Sequence, residues 1–106
     1  MTQDLFRHLR ANTSSDKQMN TLDARQQLLV VTMEECGELI QACSKLLRRA
    51  TLYDEDNKYV NNLKEELGDV YTMLHLMVEW DVVSWTEMEE RMQVKREKLS
   101  KWSELI

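Results

Sequence analysis

The stretch Glu34-Glu35-Cys36-Gly37-Glu38 places acidic residues inside an apolar pattern that has the period of an α-helix. On a helical wheel, at about 100° per residue, several apolar side chains lie within about 40° of Glu35. These are Leu28, Val31, Leu39, Ala42 and Leu46. Glu38 lies about 60° from Glu35 on the same wheel. Both carboxylates therefore belong to the stripe that an amphipathic helix buries.

A second acidic pair, in Glu66-Leu67-Gly68-Asp69, also lies within an apolar pattern, in the next helical segment. With Glu66 as the origin of the wheel, a group of apolar and aromatic side chains lies within about 60°. The group consists of Tyr59, Leu63, Val70, Met73 and Met77. Asp69 lies about 60° from Glu66 on the other side. The sequence thus predicts two acid pairs, both in apolar stripes.

A carboxylate in a buried stripe needs a positively charged partner. A buried carboxylate without a partner costs several kcal/mol, and four clustered carboxylates repel one another. Few basic residues lie on the same faces, so divalent cations are the simplest source of positive charge. The alternative is a solvated acidic surface. Residues three apart on a helix share a face. Two such pairs on packed antiparallel helices would surround one pocket with four carboxylates.

The ligand types indicate which metal would bind. Sites made only of oxygen suit Mg²⁺ or Mn²⁺ rather than Zn²⁺ or copper. Helical bundles that hold two irons use Glu-x-x-His pairs, whereas the partner positions here are Glu38 and Asp69. His75 lies about 180° from Glu66 on the wheel and is therefore not expected to be a ligand.

Breakers are rare along the chain, which has no proline and only two glycines. This composition is typical of a helical bundle. We expect helices over 2–10, over 21–50 with Thr21 as N-cap, over 58–80, and from Ser84 to about Ser103. The last begins with a capping box, in which Ser84 and Glu87 satisfy opposite backbone donors. The sequence predicts a single domain over 1–106, with its core at about 20–103.

Charge and cysteine content argue against several classes of protein. A net charge of −5 and a pI of about 5.0 argue against a protein that binds polymeric nucleic acid. Cys36 and Cys43 would lie about 10 Å apart on one helix, too far for a disulfide. The N-terminus lacks the apolar segment of a signal peptide, and no apolar run approaches the ~20 residues that span a bilayer. We therefore expect a cytoplasmic protein with no membrane contact.

The two acidic stretches resemble the Glu-Glu-x-x-Glu … Glu-x-x-Asp signature of the all-α nucleoside triphosphate pyrophosphatases, a superfamily that includes MazG and the dimeric dUTPases. The flanking sequence, from Glu35 to Lys45 and from Asn62 to Asp69, looks most like MazG-type proteins, particularly short phage-like ones. The resemblance covers roughly residues 20–100. It implies an all-α, four-helix MazG-like bundle that dimerises through its helices into a homodimer or homotetramer, in the host cytoplasm if it is phage-encoded.

The resemblance also implies roles for the acids. Glu35, Glu38, Glu66 and Asp69 match the metal ligands, and each site would hold two or more Mg²⁺ or Mn²⁺ ions. The family reaction is attack of water on the α-phosphorus of a nucleoside triphosphate, which releases pyrophosphate and a nucleoside monophosphate. Glu34 or Glu35 would take the proton of that water. Glu34 could also bind another ion, or be simply an exposed helix glutamate.

The sequence indicates the substrate-binding residues less clearly than the metal ligands. Basic residues should contact the outer phosphates, and Asn62 could bond to sugar or base. The candidates are Lys58, Asn62, Lys95 and Lys98. The basic cluster near the C-terminus could equally complement a helix dipole.

Three readings of function follow from the resemblance and the composition. The first is a hydrolase of nucleoside triphosphates with a preference for purines, (d)GTP ahead of the others. The second is a dUTP- or dCTP-specific phosphohydrolase of the same superfamily. The third is a non-catalytic helical interaction module whose acids form a surface patch. Binding of a divalent metal separates the enzymes from the interaction module.

Overall fold

The computed structural model describes residues 22–49 and 57–106, which contain three α-helices. They are α1 (Ala24–Arg49), α2 (Lys58–Glu79) and α3 (Trp85–Trp102). No strand occurs in these two ranges, so the predicted all-α class is confirmed. The helix expected over 2–10 lies outside the described residues, and the four-helix bundle therefore stays a prediction.

The start of α1 is capped by a reciprocal pair of hydrogen bonds. The backbone N–H of Gln26 donates to Asp23 Oδ1 at 2.8 Å, and the N–H of Asp23 donates to Gln26 Oε1 at 2.9 Å. This is a capping box with an aspartate as N-cap. The prediction that Thr21 caps this helix is therefore wrong. At the other end, Arg48 and Arg49 lie in the last turn, where they offset the negative end of the helix dipole.

Helix α2 is closed at its C-terminus by a residue in the left-handed region. Asp81 has a φ of 57°, which a short polar side chain tolerates. Its N–H donates to the carbonyl of Val78 at 3.0 Å, and the N–H of Val82 donates to that of Met77 at 2.9 Å. This pair of bonds is the Schellman arrangement, which ends the helix beside the boundary predicted at Trp80.

The capping box predicted for the last helix is confirmed. Ser84 Oγ accepts from the N–H of Glu87 at 3.1 Å, and Glu87 Oε1 accepts from the N–H of Ser84 at 3.0 Å. Ser103 closes α3 at the predicted end. No described helix combines the length and the hydropathy that crossing a membrane requires.

The described residues divide into two compact units between Leu76 and Met77. The first contains α1 and α2 up to Leu76, and its core consists of Leu28, Ala42, Leu46, Val60 and Met73. The second contains the end of α2 and α3, and no residue of α3 is buried.

The first unit is an antiparallel helical hairpin. Arg49, at the end of α1, is hydrogen-bonded to the side chain of Tyr59 at the start of α2. Earlier on α1, Glu35 lies close to Glu66 and Asp69, which come later on α2. The two helices therefore run in opposite directions, as the metal hypothesis requires.

Candidate metal centre

Three of the four predicted metal ligands meet in the hairpin. One carboxylate oxygen each of Glu35, Glu66 and Asp69 lies within 4.8 Å of the other two. Helix α1 supplies Glu35, while α2 supplies Glu66 and Asp69, whose spacing of three places them one turn apart. We call this group the acid triad.

Two members of the acid triad are buried and the third reaches solvent. Glu35 is 2% exposed and Glu66 is 3% exposed, whereas Asp69 is exposed. The prediction that all four acids lie in buried stripes is therefore wrong for Asp69, which points past the edge of the contact between the helices. The triad consequently joins the core of the hairpin to its surface.

Burial and charge repulsion act together on the acids. Burial raises the pKa of Glu66, and the negative charges of Glu38, Asp69 and Glu65 raise it further. Burial also raises the pKa of Glu34, with a second contribution from Glu38. Among the residues that the structure describes, Oε2 of Glu34 and Oε2 of Glu66 are buried and accept no hydrogen bond. Such atoms are costly unless something positive binds them.

The acid triad fits a hard divalent cation. Carboxylate oxygen is the ligand that Mg²⁺ and Mn²⁺ prefer. On one octahedral Mg²⁺ at about 2.1 Å, neighbouring ligand oxygens lie about 3 Å apart and opposite ones about 4.2 Å apart. Carboxylate oxygens within 4.8 Å of one another therefore need only side-chain adjustment to share one ion. A bound cation would also satisfy the buried Oε2 of Glu66.

Glu38 and Glu34 lie beside the acid triad rather than in it. Glu38 is half-buried and does not belong to the group within 4.8 Å, but its charge raises the pKa of both Glu66 and Glu34. Glu34 is half-buried as well, although an exposed position was one expectation for it. With Glu65, six acids thus lie close together in this part of the hairpin.

The predicted substrate-binding residues are spread over both units. Lys58 begins α2, with its Nζ 5.2 Å from the centre of the Tyr59 ring. Asn62 is half-buried and lies one turn before Glu66 on the same face of α2. Lys95 and Lys98 are exposed on α3, in the second unit, and Lys95 Nζ lies 5.7 Å from the centre of the Trp102 ring. The acid triad and the two α3 lysines therefore belong to different units.

The contact between Arg49 and Tyr59 was not predicted from the sequence. The hydrogen bond from Arg49, with a smaller effect of the Lys58 charge, lowers the pKa of the Tyr59 phenol. Tyr59 lies about 20° from Glu66 on the wheel, so it shares the face of the buried acid, one heptad earlier. The available signal was the arginine pair at the end of α1 opposite an aromatic residue at the start of α2.

Comparison with known proteins identifies the family. The model of the MazG nucleotide pyrophosphohydrolase domain matches residues 23–101, which is more than half of the chain. The match includes α1 and α2, and therefore every acid described above, together with most of α3. The chain matches none of the curated proteins or solved structures with which it was compared. Because this match covers more than half of its length, the chain belongs to the MazG nucleotide pyrophosphohydrolase family.

Proposed function

We propose that this protein is a divalent-metal-dependent nucleoside triphosphate diphosphohydrolase, which converts a (d)NTP and water into a (d)NMP and pyrophosphate. The observation that carries the proposal is the acid triad, in which Glu66, whose buried Oε2 has no hydrogen-bond partner in the described structure, lies close to two further carboxylates. Family membership supplies the reaction class. A structural hairpin would have no use for buried acids at these positions.

The acids would divide the work between holding metal and moving a proton. Glu35, Glu38, Glu66 and Asp69 would hold two or more Mg²⁺ or Mn²⁺ ions, which offset the charge of the triphosphate and lower the pKa of water. Glu34 is the better candidate for the proton acceptor, because Glu35 belongs to the acid triad and would hold metal, and burial raises the pKa of Glu34. The water oxygen bonds to the α-phosphorus, the α–β bridging bond breaks, and pyrophosphate leaves with its electrons.

The finer features of the proposal concern the substrate and the assembly. Lys58, Lys95 and Lys98 would contact the β- and γ-phosphates, and Asn62 would bond to sugar or base. We favour purine triphosphates, with (d)GTP first, and a single domain over 1–106 that acts as a homodimer or homotetramer in the cytoplasm. A dUTP- or dCTP-specific hydrolase is the other outcome that the substrate test can return.

The direct test is a panel of NTPs and dNTPs, incubated with the protein and Mg²⁺ or Mn²⁺, with the products separated. We expect monophosphate and pyrophosphate in equal amounts, and no turnover when EDTA replaces the metal. Diphosphate and inorganic phosphate as the products would contradict the proposal. The absence of hydrolysis across the whole panel, together with no effect of metal on the melting temperature, would favour the interaction module instead.

Glu38→Gln tests the predicted metal ligand that lies outside the acid triad. We expect turnover to be abolished, because the amide keeps the shape of the side chain but removes the charge that a metal requires. Helicity by circular dichroism should be unchanged, since Glu38 is only half-buried. A Glu38→Gln protein with full activity would remove Glu38 from the metal site.

A further inference from the structure

One face of α1 changes the sign of its charge along the helix. With Glu35 as the origin of the wheel, Glu38 and Glu34 lie about 60° and 100° away, counted against the winding of the helix. Lys45 and Arg49 lie about 80° and 40° away in the same sense. The strip is therefore acidic in its first half and basic in its second, and the metal centre uses only the acidic half.

Helix α2 carries a strip with the same displacement. With Glu66 as the origin, Asn62 and Lys58 lie about 40° and 80° away, again counted against the winding of the helix. Asp69 and Glu65 lie about 60° and 100° away in the same sense. Antiparallel helices are related by a two-fold rotation about an axis perpendicular to the plane of the pair, so equal angles in the same sense fall on one face of the hairpin. We call this surface the charged face, and its members are Glu34, Glu38, Lys45 and Arg49 on α1 and Lys58, Asn62, Glu65 and Asp69 on α2.

The antiparallel order of the helices collects the bases at one end of the charged face. Arg49 is hydrogen-bonded to Tyr59, and the Nζ of Lys58 lies 5.2 Å from the centre of the same ring. The acid triad lies farther along the hairpin. Residues 39–49 and 57–64 contain five basic side chains and no acidic one. The charged face therefore runs from the metal centre to a basic end.

Lys45 is the base of the charged face that is best placed to reach the acids. Side chains on a helix tilt toward its N-terminus, which on α1 is the direction of Glu38 and on α2 is the direction away from Glu66. Lys45 lies two turns after Glu38, about 10 Å along the axis, and its side chain spans a large part of that distance. It is half-buried, and no other described residue forms an ion pair with its ammonium group. Lys45 is therefore available to a ligand that lies between the acids and the basic end.

Arg49 extends this row of cations by one turn. It follows Lys45 by four residues, so the two side chains are neighbours on the helix surface. Its hydrogen bond to Tyr59 fixes the guanidinium, which has five N–H donors and keeps the others for a second acceptor. Arg48 is turned elsewhere, because its Nε donates to the carbonyl of Ser44 at 3.2 Å on the same helix. Two cations, one turn apart, thus follow the metal centre along the charged face.

We propose that Lys45 and Arg49 form a subsite that binds the β- and γ-phosphates of a triphosphate whose α-phosphate lies at the acid triad. The inference rests on the proposed function and adds two residues to its phosphate contacts. Lysine binds a phosphate as a compact charge, and arginine binds it with two parallel N–H donors. The subsite holds the pyrophosphate that leaves and makes no contact with the nucleoside. Its ligand is therefore a condensed phosphate, whatever the base.

The test measures the binding of inorganic tripolyphosphate, with Mg²⁺ in excess, by titration calorimetry. We expect the dissociation constant of Lys45→Gln to rise at least about tenfold, through the loss of one charge-assisted hydrogen bond. The control is Lys64→Gln, which removes the same charge at an exposed position about 160° from Glu66, off the charged face, and should stay within about twofold of the wild type. The affinity for a nucleoside monophosphate should be unchanged in both variants. Arg49→Gln, with Arg48→Gln as its control, has the same expectations should Lys45→Gln fail to fold.

Three results would overturn the proposal: a wild type that does not bind tripolyphosphate, a Lys45→Gln protein that binds it as tightly as the wild type, and an equal loss of affinity in Lys64→Gln. The second result together with a lower Tm would assign Lys45 to a structural ion pair with the acids of the connecting segment, Asp54, Glu55 and Asp56. Tripolyphosphate binding does not depend on hydrolysis. A protein that binds it through Lys45 and hydrolyses no nucleoside triphosphate would refute the proposed function alone. One that hydrolyses nucleoside triphosphates while Lys45→Gln keeps the wild-type affinity would refute the subsite alone.

Discussion

Asp69→Asn is expected to lower kcat/KM for nucleoside triphosphate hydrolysis on the order of a thousandfold while it leaves the fold intact. Asp69 is the member of the acid triad that reaches solvent, so its loss creates no cavity in the hairpin core. The free energy of unfolding should change by no more than about 0.5 kcal/mol, as for other surface substitutions. A loss of about 4 kcal/mol of metal-dependent transition-state stabilisation corresponds to the thousandfold factor.

The matched control for this prediction is Glu65→Gln. Glu65 is an exposed acid of the same helix, next to Glu66, and removal of its charge alters the field at Glu66 only slightly. We expect kcat/KM to stay within about twofold of the wild type. Equal losses in the two variants would mean that general negative charge, and not the acid triad, determines the activity.

Helix boundaries were predictable where the sequence carries a capping signal. The Ser84–Glu87 capping box is legible in the sequence, and it begins α3 where predicted. The start of α1 differs from the predicted one, because Asp23 and Gln26 form the capping box in place of the N-cap predicted at Thr21. The end of α2 has no such signal, because Asp81 adopts a positive φ that is usual for glycine.

The helical wheel predicted which helix face carries the acids but not how far each acid is buried. It placed Glu35 and Glu66 in buried stripes, and both are nearly inaccessible. It could not show that Asp69 points out of the contact, because an angle on one helix does not say how far the neighbouring helix reaches. For the same reason the sequence does not predict that apolar side chains of α1 such as Met33, Ile40 and Leu47 are exposed. Helix α1 is apolar over much of its circumference, and only packing reveals which part α2 covers.

Glu66→Met should stabilise the protein in EDTA by about 1–4 kcal/mol and abolish its response to Mg²⁺. Glu66 is 3% exposed, and its buried Oε2 accepts no hydrogen bond in the described structure. Replacement of such a buried charge by an apolar side chain of similar size removes a desolvation penalty and the repulsion from Asp69 and Glu38. Urea denaturation in EDTA measures the gain. Glu65→Met, at the exposed neighbour, should change the stability by no more than about 0.5 kcal/mol.

The response to metal separates a binding site from an acid cluster of no function. At a hundred times its dissociation constant, a ligand of the native state adds about 2.7 kcal/mol, or roughly 10 °C in Tm for a chain of this length. The wild type should show this rise with Mg²⁺, and Glu66→Met should not, although it starts from the higher Tm. A Glu66→Met protein less stable than the wild type in EDTA would mean that the carboxylate supports the fold. A variant that is more stable without metal and insensitive to it would show that the hairpin gives up stability in order to bind the cation.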